Sequence, residues 1–196
     1  MPASKKPTLR RIFVYASGAI VFLLARPTPL FFGIGATLCV SGELLRIWAC
    51  GHLRKNKVVV KSGPYAHVKN PLYLGTFLIL IGMVLAASHP APGSPSRYLL
   101  LLFLPFALGV FLLYYLPHKF RVEGERLRRR FGVEWDDYDR RVPDFVPSLF
   151  PRVRDEGRFD AALVAENSEI GTALFVAVGL AAIACRFLPL PLPLPW

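Results

Sequence analysis

The chain has 196 residues, is 54% hydrophobic, and sets 24 Lys and Arg against 13 Asp and Glu for a formal charge of +11. So apolar a composition excludes an ordinary soluble domain of this length and points to an all-α, integral-membrane helical bundle, read as a single domain over 1–196. The charge does not make it a nucleic-acid binder, because residues 118–169 carry 11 basic against 12 acidic side chains, and the surplus lies beside apolar segments where anionic lipid headgroups attract it.

A hydrocarbon core of ~30 Å takes ~20 apolar residues in helical form. Four segments approach that length, 30–50, 72–88, 98–116 and 170–188, and a fifth, 12–25, is short. The short one follows Lys5, Lys6, Arg10 and Arg11 and so resembles the core of a signal peptide, but Arg26-Pro27-Thr28-Pro29 follows it instead of a small-residue cleavage pattern. It reads as a retained helix that turns tightly into the next. With five spans and the N-terminus inside, 20 of the 24 basic residues fall on one side, which the positive-inside rule makes cytoplasmic. A multi-pass protein with its site on that side is expected, in the inner membrane if the source is bacterial.

In the second segment Glu43 and Arg46 share a helix face at i,i+3. Ionisable side chains inside a membrane are costly unless paired or wetted, so the two either neutralise each other or line a site. Cys39, Cys50 and Cys185 form no CxxC pair, and His52 and His67 have no ligand spacing to carboxylates or thiols. The cysteines read as small buried residues and no metal is expected.

The run Lys57-Val58-Val59-Val60 leads into GPYAHVKNPLYLG, Gly63 to Gly75. Gly63-Pro64 and Asn70-Pro71 favour turns, and Pro71 suits the first turn of a helix whose free amides attract anionic groups. Tyr65 and Tyr73 add aromatic faces and hydroxyls, while Gly75 permits close approach. A turn with a helix cap is the plain alternative.

Residues 89–96 form a Pro/Gly/Ser connector, and Leu188 to Trp196 alternates Leu and Pro as extended chain. Between them, Lys119 to Arg141 has helical periodicity, with Phe120, Leu127, Phe131, Trp135 and Tyr138 on one stripe and Gly132 as a kink or stop. Residues 152–169 read as an amphipathic surface stretch. Lys119, Arg121, Glu123 and Glu125 lie where the fourth span leaves the membrane, on the same side as the Gly63–Gly75 stretch. They are either a solvated face with i,i+4 pairs or the second half of a site.

The two stretches together, 57–75 and 119–147, resemble paired motifs of the integral-membrane methyltransferases typified by isoprenylcysteine carboxyl methyltransferase and phosphatidylethanolamine N-methyltransferase. GPYAHVKNPLYLG is similar to GPYxxxRHPxYxG, and EGERLRRRFGVEWDDYDRRVPDFVP to EExxLxxxFGxxYxxYxxxVPxxxP. The resemblance implies S-adenosylmethionine bound at the cytoplasmic face and a lipid-like acceptor, a prenylcysteine-type carboxylate or a phospholipid-type amine, entering from the bilayer. It places the cofactor on Lys57, Val58, Val59, Val60, Tyr65, Asn70, Pro71, Leu72, Tyr73 and Glu123, with Gly75 alongside. It gives Lys119 or Arg121 the task of orienting an anionic acceptor. His67 and Glu125 are counted with the cofactor-binding residues, and an amine acceptor, which must lose a proton, would use one of them as its base. Glu43 and Arg46 are expected to line the pocket.

The sequence departs from the pattern at Asn70, where the family has His, and at Gly124, where it has a second Glu. Asn70 hydrogen-bonds but does not titrate near neutrality. Two further readings follow, an NADPH-dependent membrane reductase of the sterol reductase kind and a non-catalytic scaffold that kept the fold.

Overall fold

A computed structural model describes residues 9–188. The Lys5-Lys6 pair and all but the first residue of the Leu-Pro run lie outside them. Seven helices follow one another among the described residues: α1 Leu9–Leu24, α2 Pro29–His52, α3 Pro71–Ala86, α4 Leu99–Phe131, α5 Val133–Arg141, α6 Ala161–Glu166 and α7 Glu169–Ala184. No strand occurs among these residues. A 3-10 turn, Gly63–Ala66, interrupts the link between α2 and α3, and another, Cys185–Phe187, extends α7.

Three helices are long and apolar enough to cross a membrane: α2, α4, and α7 carried on to Phe187. The sequence reading had expected five spans. α3 is apolar but has 16 residues, and so does α1, which at ~1.5 Å per residue gives each ~24 Å, short of the hydrocarbon core. The 98–116 segment proves to be the first part of a single 33-residue helix, because nothing in Lys119 to Phe131 breaks the helical ladder until Gly132.

α2 and α3 pack backbone to backbone. Gly35 and Gly42 on α2 and Gly75 and Gly82 on α3 recur at a spacing of seven, which keeps small residues on one seam. A methyl group at Gly42 would meet the Gly75 carbonyl oxygen, and one at Gly82 would meet the Gly35 carbonyl oxygen and the Cys39 backbone and sulfur. α2 starts cleanly: Thr28 caps it, accepting from the Phe31 amide at 3.4 Å, and Pro29 fills the first turn where no amide is needed.

At the end where α1 turns into α2, Val21, Ala25, Val84, Ala86, Ala87, Leu99 and Ile183 form one core, and the Arg26 amide donates to the Ala87 carbonyl at 2.9 Å. α1, α3, α4 and α7 therefore meet there, which leaves the last turns of α2 and the first turns of α3 and α7 at the opposite end.

α4 widens twice into π-helical turns, Leu99–Phe103 and Val110–Tyr115. Each lies just before a proline pair of positions, Leu104-Pro105 and Leu116-Pro117. A proline in a helix interior donates no hydrogen bond and its ring crowds the carbonyl one turn back, and a wider i→i+5 turn relieves both. Gly132 ends α4 at φ +55°, ψ −126°, a conformation that side chains disfavour.

Beyond α5 the chain doubles back under the Gly63–Gly75 stretch. Residues 142–160 are not helical; within the expected amphipathic stretch, 152–169, Ala161–Glu166 forms a short helix and Glu169 opens α7. Val59 joins Trp135, Tyr138 and Val142 in a second small core that holds α5 against the α2–α3 link.

Candidate functional site at one end of the bundle

The two polar stretches singled out in the sequence come together. Tyr73, on the first turn of α3, donates its hydroxyl to Glu123 of α4 at 2.9 Å. The Tyr73 ring sits edge-on to Tyr115 at 5.9 Å and near Phe120 at 6.2 Å, and Lys119 places its ammonium 5.9 Å from the Tyr115 ring. Arg121 and Glu125 are exposed on the outer face of α4, and Glu125 lies 3.9 Å from Arg129 and within the electrostatic reach of Arg128. Of the four charged candidates on this helix, Glu123 and Lys119 therefore belong to the aromatic cluster.

Much of the Gly63–Gly75 stretch is bound to the α5 segment. Tyr138 donates its hydroxyl to the Tyr65 carbonyl at 2.9 Å, and the Lys69 amide donates to the Pro143 carbonyl at 2.8 Å. Lys69 reaches Asp139 at 2.6 Å and Asp144 at 2.8 Å, and Asn70 donates to the Asp144 carbonyl at 3.0 Å. His67 turns its Nδ1 to the Ser148 carbonyl at 2.9 Å, an acceptor, so that nitrogen carries the proton. Burial holds the Tyr65 and Tyr138 hydroxyls well above the usual tyrosine range. At Lys69 burial alone would depress the ammonium, but its hydrogen bonds to Asp139 and Asp144 outweigh that and hold it above the usual lysine range.

The lead-in residues divide. Val59 is buried in the α5 core and Val60 packs with Ala49 and Tyr65, whereas Lys57 and Val58 face outward, Lys57 lying 3.6 Å from Glu166. Pro71 is buried and Leu72 packs beside Tyr65. What comes close to Gly75 is α2 itself: a methyl there would collide with the Arg46 side chain and the Gly42 carbonyl oxygen.

The intramembrane pair is arranged differently from the i,i+3 expectation. Arg46 does hold a carboxylate, but it is Glu169, the first residue of α7: Nε reaches Oε1 at 2.6 Å and Nη2 reaches Oε2 at 2.8 Å. Such a two-pronged contact suits the planar guanidinium. Nη1 goes to α3, donating to the Leu72 carbonyl at 3.1 Å and the Thr76 hydroxyl at 2.7 Å. The Cys50 thiol donates to Glu169 Oε2 at 3.4 Å. Arg46 thus ties α2, α3 and α7 at the end of the bundle that also carries Tyr73.

Sequence reasoning missed Glu169, Thr76 and the role of Cys50. Glu169 had one signal: it is the acidic residue placed immediately before the apolar run 170–188, where a carboxylate favours a helix N-terminus. Asn167, also missed, closes the end of α2 by donating to the Cys50 and Leu53 carbonyls at 3.2 and 2.9 Å.

What these elements define is an all-helical protein with three helices fit to cross a membrane and a polar cluster where α2 ends and α3 and α7 begin. Over 118 residues, 59% of its length, the chain is 32% identical to the nickel-cobalt-cadmium resistance protein NccN of Alcaligenes xylosoxydans xylosoxydans. It is 31% identical over 118 residues to the cobalt-zinc-cadmium resistance protein CzcN of Cupriavidus metallidurans. The matches take in 48% and 47% of those proteins, so the chain spans about half the length of the curated relatives it matches. No family model matches it, and no solved structure does.

These relatives overturn the functional expectation. Both are named for metal resistance, so assignment to the membrane methyltransferases is withdrawn, and with it methyl transfer to a prenylcysteine-type or phospholipid-type acceptor and the lipid-like acceptor as partner. The reductase and scaffold alternatives gain no support from them either. The expectation that metal plays no part is likewise corrected, since nickel, cobalt, cadmium and zinc stand in the relatives' names. The physical reason the motifs misled is visible in their contacts: Tyr65, Lys69, Asn70 and Tyr138 are engaged with one another's segments, so these residue types are accounted for by holding the turn to the α5 segment. Among the described residues no group of three or more His, Cys, Asp or Glu side chains is placed to hold a metal ion.

Proposed function

We propose that the chain is a membrane component of resistance to divalent transition metals of the nickel, cobalt, cadmium and zinc group. The observation that carries this is the 118-residue match to two proteins named for such resistance, from two organisms. In this reading α1 and α3 complete five membrane-crossing elements, the N-terminus is cytoplasmic, and α5 with residues 142–160 covers the cytoplasmic end. The basic residues beside the membrane, Arg54, Lys55, Lys57 and Lys61 among them, support that orientation. Tyr73, Glu123 and the Arg46 cluster are then the residues at the membrane face where a ligand would be received.

The test is growth. A metal-sensitive bacterium expressing the full chain, with membrane insertion verified by immunoblot, is expected to tolerate a higher concentration of at least one of the four metals than the same strain with empty vector. Equal tolerance across all four would sink the reading.

S-adenosylmethionine as a cofactor is a separate proposal, about binding and not about an activity. Glu123, beside the Tyr73 and Tyr115 rings, supplies a carboxylate suited to the ligand's ammonium. Calorimetric titration of the detergent-purified chain is expected to show saturable binding that Glu123→Ala removes; a flat titration rules the cofactor out.

A further inference from the structure

The cluster around Arg46 contains one more acid than base. Glu169 is 2% exposed and takes both prongs of the guanidinium. Glu43, one turn back along α2, is 8% exposed, and its two carboxylate oxygens are buried with no hydrogen-bond partner. It lies beside Glu169, near enough for the two carboxylates to repel each other. Arg46 attracts Glu43 across one turn, but its hydrogen bonds go elsewhere, Nε and Nη2 to Glu169 and Nη1 to Leu72 and Thr76 on α3.

The titratable and polar groups that face the pair come from three helices. α2 contributes Glu43, Arg46 and Cys50, α3 contributes Thr76 and the Leu72 carbonyl, and α7 contributes Glu169; Tyr65 and Lys55 lie further out. The thiol of Cys50 and the hydroxyl of Thr76 are already donating, to Glu169 and to the Leu72 carbonyl. One guanidinium against two buried carboxylates leaves a net negative charge on the cluster, which burial makes costly. Two carboxylates side by side accept but cannot donate, so only a proton turns their repulsion into a hydrogen bond.

We propose that Glu43 and Glu169 form a proton-binding site, one proton shared between their carboxyl groups and the pair clamped by Arg46. With the proton in place the cluster is neutral and Glu43 has its missing partner. With the proton gone, Glu43 repels the carboxylate that joins α7 to α2. The site rests on these residues alone and not on the metal reading.

The test is infrared spectroscopy of the full chain in lipid nanodiscs, washed with chelator and prepared with isotopically labelled glutamate. A carbonyl-stretch band of a protonated carboxylic acid is expected, sensitive to deuterium and shifted by the label. It should disappear in Glu43→Gln, whose amide imitates the protonated acid and keeps the fold, and should disappear or move in Glu169→Gln. Glu166→Gln, at an exposed carboxylate, should leave it unchanged. Absence of a glutamate-derived band in folded wild-type protein, or a band that survives unaltered in both Glu43→Gln and Glu169→Gln, would overturn the proposal. Stoichiometric divalent metal in place of the band would overturn it too, in favour of a bound cation.

Discussion

Arg46 on α2 and Glu169 at the start of α7 are joined by two hydrogen bonds of 2.6 and 2.8 Å across 123 residues of sequence. No local periodicity could have paired them. The bond fixes where the last apolar helix begins relative to the second, and through Nη1 it also fixes the first turn of α3.

Removing one partner of this buried pair leaves the other charged and unmatched. Arg46→Ala is expected to destabilise the bundle by about 3–5 kcal/mol, and Glu169→Gln by less, because an amide still accepts one of the two hydrogen bonds. Arg46→Lys keeps the charge but not the fork, and should fall between them. Thermal unfolding of the purified protein in one detergent orders the three variants; wild-type stability in Arg46→Ala would show the pair to be dispensable.

The α2–α3 seam predicts a position-specific response to added volume. Gly42→Val pushes side-chain atoms into the Gly75 carbonyl and the neighbouring Leu78 and Ile79, and should cost about 1–3 kcal/mol or more. Gly33→Ala, on the same helix with open space around it, should be neutral or slightly stabilising, since alanine is the better helix former by up to about 1 kcal/mol. Equal effects at the two positions would mean that close backbone approach is not what holds α2 to α3.

How much of this was legible beforehand depends on how far apart the interacting residues lie. The Pro-containing turn at 26–29 and Gly132 as a kink or stop are local signals, and the structure has a turn into α2 at the first and the end of α4 at the second. The two polar stretches do meet, and the Tyr73–Glu123 hydrogen bond is where they touch. α3 ends at Ala86, two residues before the end of the expected 72–88 segment, with its last residues packed against α1. Glu169 was hidden since its partner lies five elements away, and i,i+3 adjacency on one helix did not reveal that Arg46 gives its hydrogen bonds to Glu169 and not to Glu43. Function was the least legible: motif residues that hold the α5 segment to the α3 entrance look the same in sequence as residues that hold a ligand.

The hydroxyl of Tyr73 and the carboxylate of Glu123 offer a direct measure of how strongly the two stretches are coupled. Tyr73→Phe and Glu123→Gln are each expected to cost about 1 kcal/mol, and the double variant less than the sum, with a coupling of about 0.5–1.5 kcal/mol. Strict additivity in unfolding experiments would show that the hydrogen bond adds nothing beyond the packing of the Tyr73 ring.

Lys69 gives the fold a predictable alkaline limit. Its ammonium is surrounded by Asp139 and Asp144, at 2.6 and 2.8 Å, and their hydrogen bonds overcome the effect of burial to hold the charged form above the ordinary lysine range. A group whose pKa is higher folded than unfolded binds its proton more tightly in the native state. Its contribution is therefore complete below the unfolded value, about 10.4, and is lost as pH rises through the higher folded value. The segment from Asp139 to Phe145 should accordingly loosen in strongly alkaline solution before the helices do. Lys69→Met should produce that loosening at neutral pH, at a cost of about 1–3 kcal/mol for charged hydrogen-bond partners left behind. Amide hydrogen exchange at the Lys69 N–H, which donates to the Pro143 carbonyl at 2.8 Å, reads this in the wild type; at position 69 of the variant the same amide remains and reports directly. Protection that is unchanged in Lys69→Met, and unchanged in the wild type through alkaline pH, would show that the backbone hydrogen bonds hold this segment without the ion pairs.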